Sequence, residues 1–346
     1  MKNITSRELV KNISIGWNLG NTMDASGTNN ITSETSWGNP KTTKELITAI
    51  KNSGFNVLRL PTTWGTHLGL APDYKIDDNW ISRVQEIIDY AIQNEMFVIL
   101  NAHHEDWYCP YYWNAEVAKD ILYKVWEQIA ERFKDYDEKL IFEGLNEPRQ
   151  IGTAAEWNGG NEEGWEVVNQ LNDAFIKVIR KSRGNNPLRH LMITPYAATT
   201  NIDAWNYFIV PNDDKVIISI HAYIPENFAL KKEGTDKWSA LNQSDTFVID
   251  KLVDNISDKF LSRGVPVLIG EFGAVIKNNN IKARSEWAEY FVSKTAEKNI
   301  PCIWWDNGKF EGSGELFGLI DRTTYQWKDP EVINALMRGL NKDKSM

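Results

Sequence analysis

Short β-rich runs alternate with long amphipathic ones along the whole of this 346-residue chain, and that rhythm limits the fold more than any single motif. The β-rich runs are residues 14–20 (SIGWNLG), 55–61 (FNVLRLP), 97–104 (FVILNAHH), 140–147 (LIFEGLNE), 190–196 (HLMITPY), 216–223 (VIISIHAY), 266–273 (PVLIGEFG) and 301–307 (PCIWWDN). Between them apolar residues return at helical spacing, one face buried. Ile81, Val84, Ile88, Ala91 and Ile92 form one such stripe. Leu122, Val125, Trp126, Ile129, Ala130 and Phe133 form a second, and Leu171, Ala174, Phe175, Val178 and Ile179 a third. A last helix is expected over residues 330–340. Eight strand–helix units predict an α/β fold, a (β/α)8 TIM barrel, as one domain over residues 1–346. The runner-up, an open doubly wound sheet, usually carries a glycine-rich phosphate loop after its first strand. Here that strand runs into GWNLGNTMD, with neither G-x-G-x-x-G nor a Walker lysine.

A barrel of this kind keeps its chemistry at the C-terminal ends of its strands. Those ends carry Arg59 on the second strand, Asn101, His103 and His104 on the third, and Asn146 and Glu147 on the fourth. His221 and Tyr223 end the sixth, Glu271 the seventh, and Trp304, Trp305 and Asp306 the eighth. Three of the five histidines in the chain thus fall at strand ends. Strands four and seven face each other across part of the mouth, so Glu147 and Glu271 can converge. Two converging carboxyl groups are the equipment of glycoside hydrolysis: one protonates the leaving oxygen, the other attacks the anomeric carbon or activates water. Strand alternation predicts that Ile269 and Glu271 both point inward, and likewise Ile141, Glu143, Leu145 and Glu147. Glu143 then reads as a hydrogen-bonded interior group one layer down.

Arg59, HH at 103–104, NEP at 146–148, HAY at 221–223, GEFG at 270–273 and WWDN at 304–307 stand in register on six strands, and in this the chain resembles glycoside hydrolase family 5. GWNLGNTMDA near the start and NEPRQIGTAAEWNGG resemble its endoglucanase and xyloglucanase branch. The resemblance implies an endo-acting, retaining β-1,4-glucanase acting on cellulose, mixed-linkage β-glucan or xyloglucan. Glu147 matches the acid/base and Glu271 the nucleophile, with Arg59 and Tyr223 expected to hold Glu271 ionised. Burial and the field of Glu271 are expected to raise the pKa of Glu147. Asn146 is expected at the sugar 2-hydroxyl, His103 and His221 around hydroxyls and the acid/base, and Trp305 beneath the sugar. Asn21, Trp37, His104 and Asp306 complete the expected substrate-binding set, and Trp304 is expected in the core. A β-mannanase is the alternative within the family, and a non-catalytic carbohydrate-binding barrel the alternative outside it.

No cofactor and no metal are expected, since adjacent histidines on a strand point to opposite faces and no H-x-H or H-E-x-x-H pattern occurs. The formal net charge of −9 argues against nucleic acid or anionic membrane as partner and suits a neutral polysaccharide. A monomer is expected. Aromatic residues are abundant, with 15 Trp, and Trp37, Trp64, Trp107, Trp113, Trp157, Trp205 and Trp238 crowd loop-like stretches where half-exposed rings bind ligands. Trp126 and Trp287 read as core. Cys109 and Cys302 fit no zinc or disulfide framework. No signal-peptide segment opens the sequence, yet a polymer substrate implies secretion; the expectation is a trimmed catalytic module, with any binding or docking module outside this chain.

Overall fold

A computed structural model describes residues 1–341. Eight parallel strands close into a barrel in sequence order: β1 (Ile15–Leu19), β2 (Val57–Leu60), β3 (Phe97–Asn101), β4 (Leu140–Glu143), β5 (Leu191–Ile193), β6 (Val216–His221), β7 (Val267–Phe272) and β8 (Cys302–Asp306). The helices are α1 (Ser6–Val10), α2 (Lys44–Asn52), α3 (Asp78–Gln93), α4 (Ala115–Arg132), α5 (Glu162–Lys181), α6 (Ile202–Tyr207), α7 (Glu226–Ala229), α8 (Gln243–Lys259), α9 (Ile281–Ala296) and α10 (Pro330–Asn341). The barrel is therefore the architecture that the strand–helix rhythm predicts.

Several helices begin where the sequence supplies a cap. Asp77 accepts from the backbone N–H groups of Asn79 and Trp80 to start α3, and Asn161 accepts from Gly164 to start α5. The three predicted stripes then pack on the outside of the barrel with Trp126 and Trp287, in one continuous core that also holds Leu58, Val98, Phe142 and Ile269.

A second, smaller core fills the barrel itself. Val57, Ile99, Ile141, Met192, Ile217, Leu268 and Ile303 meet there, and Leu9, Val10 and Ile13 from α1 and the turn after it plug the lower end. Val10 and Ile13 also border a shallow cavity shared with Leu340 and Asn341 of α10, so both ends of the described chain lie on the underside.

Two local departures from regular strand geometry matter for function. Ile269 packs outward with the helices, against expectation. Between β6 and β7 the register slips: Ile220 pairs with Ile269, but His221 pairs with Glu271. Gly270 is the extra residue of this bulge, and it re-aims Glu271 to the interior. A Cβ at Gly270 would lie 2.6 Å from Ser219 Oγ and 3.2 Å from His221 Nε2, which is why no side chain fits there. On β4 the alternation also fails. Ile141 and Glu143 face inward, but the strand ends at Glu143, Leu145 packs outward, and Glu147 lies in the irregular segment beyond.

Candidate active site

Above the apolar plug the barrel interior turns polar, and Arg59 organises it. Its Nε donates to Glu143 Oε2 (2.7 Å), Nη1 to Asn18 Oδ1 (2.9 Å) and Glu271 Oε1 (2.7 Å), and Nη2 to Asn146 Oδ1 (2.7 Å). Ser219 Oγ donates to the other Glu143 oxygen at 2.7 Å. Glu143 is thus the interior group the sequence suggested, a counter-charge that fixes the guanidinium. Asn18 in turn donates through Nδ2 to the carbonyls of Gly270, Ile303 and Trp304, anchoring the bulge.

The two glutamates do converge. One carboxylate oxygen of Glu147, one of Glu271 and a ring nitrogen of His221 all lie within 4.8 Å of one another. Glu271 accepts from Arg59 on Oε1 and from the Tyr223 hydroxyl on Oε2 (2.8 Å), which fixes both of its oxygens. His221 Nδ1 lies 2.8 Å from Glu147 Oε1 and 3.6 Å from Glu271 Oε2. The close spacing belongs with the short separation of about 5–5.5 Å that direct nucleophilic attack needs, rather than the wider one that admits a water.

The protonation pattern differs from expectation. Burial works to raise the Glu147 carboxyl, but the hydrogen bond and charge of His221, backed by Arg149 and His104, outweigh it and hold the group below the usual carboxylate range. Burial works to lower His221, yet the charge of Glu271 and the bond to Glu147 raise it. The proton of this pair therefore rests on the imidazole in the free site, one hydrogen bond from Glu147. The expected effect of Glu271 on Glu147 is spent on His221 instead.

His103 is different: burial, then the positive charges of His104, Arg59 and His221, hold it far below the ordinary imidazole range, so it is neutral. Its tautomer follows from its neighbours. Asn101 Oδ1 accepts from Thr62 N–H at 3.0 Å, so Asn101 Nδ2 donates to His103 Nδ1 at 3.0 Å and the ring proton sits on Nε2. Asn146 Oδ1 is taken by Arg59, so its Nδ2 faces His103 Nε2 at 3.4 Å, donor to donor. Two donors converging without an acceptor define a seat for an oxygen such as a sugar hydroxyl.

Trp305 is buried in a cluster with Val275, Phe317 and Tyr223, and its ring runs parallel to that of His103 (2°, centroids 5.7 Å). Trp304 lies in the outer core, as expected. Trp37 is half-buried with its ring 5.8 Å from that of the exposed His104, so these two share the mouth. Asn21 is half-buried in the left-handed backbone region (φ 55°), with its backbone N–H on Asp24 Oδ2. Asp306 is a correction. It is fully buried, and its oxygens are consumed by the Trp17 indole N–H and by backbone N–H groups of Gly308, Leu319 and Ile320. It ties the chain after β8 to β1 and has no capacity left for a sugar.

Two more expectations change, on the tryptophans and on the paired histidines. Trp64, Trp205 and Trp238 are buried, whereas Trp113 (77% exposed) and Trp157 (59% exposed) are open to solvent beside the mouth. The two cysteines are free thiols, in keeping with the lack of a disulfide framework. His103 and His104 lie past the end of β3 and do not point oppositely: their rings sit edge to face at 4.5 Å. With Asp24 they form one of two groups among the described residues able to approach a metal ion, the other being Glu147, His221 and Glu271. Arg149 is the residue sequence reasoning passed over. Its guanidinium lies over the Trp157 ring (4.2 Å), donates to Glu156 (3.2 Å) and to the Glu147 carbonyl (3.0 Å), and stands 3.8 Å from Glu147 Oε2. A cation two residues beyond a candidate acid was the available signal.

Comparison with known proteins agrees with this geometry. The profile of the family described as Cellulase (glycosyl hydrolase family 5) matches residues 22–311. Endoglucanase B of Neocallimastix patriciarum is 54% identical over 348 residues, covering 98% of this chain and 73% of its own length. A GH5-4 broad specificity endoglucanase from Ruminococcus champanellensis, solved with bound cellotriose, superposes with a TM-score of 0.94 at 44% identity, covering 97% of this chain and 99% of its own. XEG5A, a xyloglucan-specific endo-β-1,4-glucanase from a metagenomic library, superposes at 0.91 with 38% identity, covering 95% and 97%.

Proposed function

The chain belongs to glycosyl hydrolase family 5 and is an endo-β-1,4-glucanase, and from that premise we propose that it works by double displacement, with Glu271 as nucleophile and Glu147 as acid/base. The observation that carries this reading is the pair of carboxyl groups within 4.8 Å, one gripped by Arg59 and Tyr223 and the other bonded to His221. Glu271, gripped by Arg59 and Tyr223, attacks the anomeric carbon. The proton of the Glu147–His221 pair goes through Glu147 to the glycosidic oxygen, and the leaving chain departs. Glu271 is then an ester without charge; Glu147 accepts a proton from the incoming water, whose oxygen bonds to the anomeric carbon as the ester bond breaks and returns Glu271 as a carboxylate. Asn146 and His103 Nε2 offer their hydrogens to a hydroxyl of the sugar being cleaved, over Trp305.

Mixed-linkage glucan and xyloglucan are proposed alongside cellulose as substrates, supported by the breadth named for the Ruminococcus champanellensis enzyme and by the xyloglucan specificity of XEG5A. Secretion is proposed because a polymer cannot reach a site inside the cell; activity confined to lysates of the native organism would contradict it. The central test is chemical trapping. A 2-deoxy-2-fluoro-cellobioside with a good leaving group should add one cellobiosyl mass to the peptide holding Glu271. Glu271→Gln should take neither label nor polymer, with kcat down by roughly 10⁴-fold or more. Label on another carboxyl would overturn the assignment.

A further inference from the structure

Arg149 joins two features that have no other link. On one side is Glu147. Its Oε1 faces His221 and Glu271, while its Oε2 faces Arg149 at 3.8 Å. On the other side is Trp157, whose ring is covered on one face by the guanidinium at 4.2 Å yet is 59% exposed overall, so its second face is open. The acid donates to the first atom of the leaving sugar. The leaving chain therefore extends past Glu147 away from Glu271, which is the direction of Arg149 and Trp157.

We propose that Arg149 is a positioning residue that holds Trp157 as a platform for the leaving-group sugars and ties that platform to the Glu147 carboxyl. This rests on the double-displacement reading above. The guanidinium can serve both ends because its plane stacks on the indole while its edge N–H groups reach Glu156 and the Glu147 backbone. An apolar sugar face on the open side of Trp157 gains from a ring already fixed from behind, so little side-chain entropy is lost on binding. The remaining charged or titratable groups around Glu147 lie on other elements. His221 and Glu271 come from β6 and β7, and His104 and Tyr108 from the chain after β3. Tyr223 and Glu315, from the chain after β6 and after β8, also feel the charge of Glu147.

The test compares two substrates. Cellopentaose needs leaving-side contacts and a proton on its leaving sugar. A 2,4-dinitrophenyl cellobioside needs neither. Wild-type turnover of both, together with the fluoro-sugar label on Glu271, establishes the underlying reading; absence of both or label elsewhere would sink that reading rather than this proposal. Trp157→Ala should lower kcat/KM on cellopentaose about tenfold and leave the aryl cellobioside within twofold. Arg149→Met should do the same and also move the alkaline limb of the cellopentaose pH profile upward, because a lost positive charge lets the acid keep its proton longer. Arg149→Lys keeps the charge without the planar stack, so it should lose on cellopentaose while the limb stays near wild type. Equal losses on both substrates, or an unmoved limb in Arg149→Met, would overturn the proposal; Trp157→Phe, a milder change, decides the platform if Trp157→Ala fails to fold.

Discussion

A single imidazole governs how acid catalysis depends on pH here. In the proposed double displacement, the proton that Glu147 delivers is stored on His221, whose pKa is raised, while that of Glu147 is lowered. The two titrate as one pair, so the pH profile reports the pair. Below the raised pKa of the pair the proton is present; as pH rises through it the proton is lost and activity falls. The alkaline limb of kcat/KM is therefore expected above the ordinary histidine value of 6.5. A limb near 4.5, the ordinary value for an isolated glutamic acid, would contradict the shared proton. His103 adds no step, because burial and its cationic neighbours keep it neutral.

The strands supply direction as well as position, and the bulge at Gly270 is where that shows. Replacing Gly270 with Ala pushes a methyl group against Ser219 and His221, so Glu271 shifts. A misplacement of about 1 Å is expected to cost roughly 100-fold in kcat, read on a soluble β-glucan, with KM little changed. Wild-type kcat in Gly270→Ala would show that the bulge does not set the nucleophile. The lower plug acts separately. Leu9→Ala or Ile13→Ala removes packing inside the closed barrel and is expected to cost about 2–4 kcal/mol in urea unfolding, with kcat at 25 °C unchanged. These elements explain what the sequence could disclose. Eight strands and the order of their ends were readable because apolar runs and helical stripes are dictated by burial. The inward aim of Glu271 was inferred rightly from a wrong premise, because alternation cannot foresee an extra residue in one strand. Asp306 looked like a binding group because a carboxylate at a strand end reads alike whether it meets substrate or a ring of backbone N–H groups. Arg149 escaped because its partners, Glu156 and Trp157, come together only once the loop after β4 folds back.

At the scale of the whole molecule the relevant quantity is charge. A formal net charge of −9 does not hinder a neutral glucan but repels a carboxymethylated one. Raising salt from about 0.01 to about 0.15 M shortens the screening length from about 30 to about 8 Å. KM on carboxymethyl cellulose should fall over that range while KM on neutral mixed-linkage glucan stays constant; parallel changes on both would rule out a field effect. The placement of the chain ends has a consequence of another kind. The segment with Val10 and Ile13 and the last turn of α10 border one cavity on the underside, while the Glu147 and Glu271 carboxyls open at the opposite rim. A partner spliced directly after Asn341 hangs like a keel beneath the barrel. An enzyme immobilised through such a fusion presents its cleft outward to the polymer, and the tether does not have to cross the path of a passing chain.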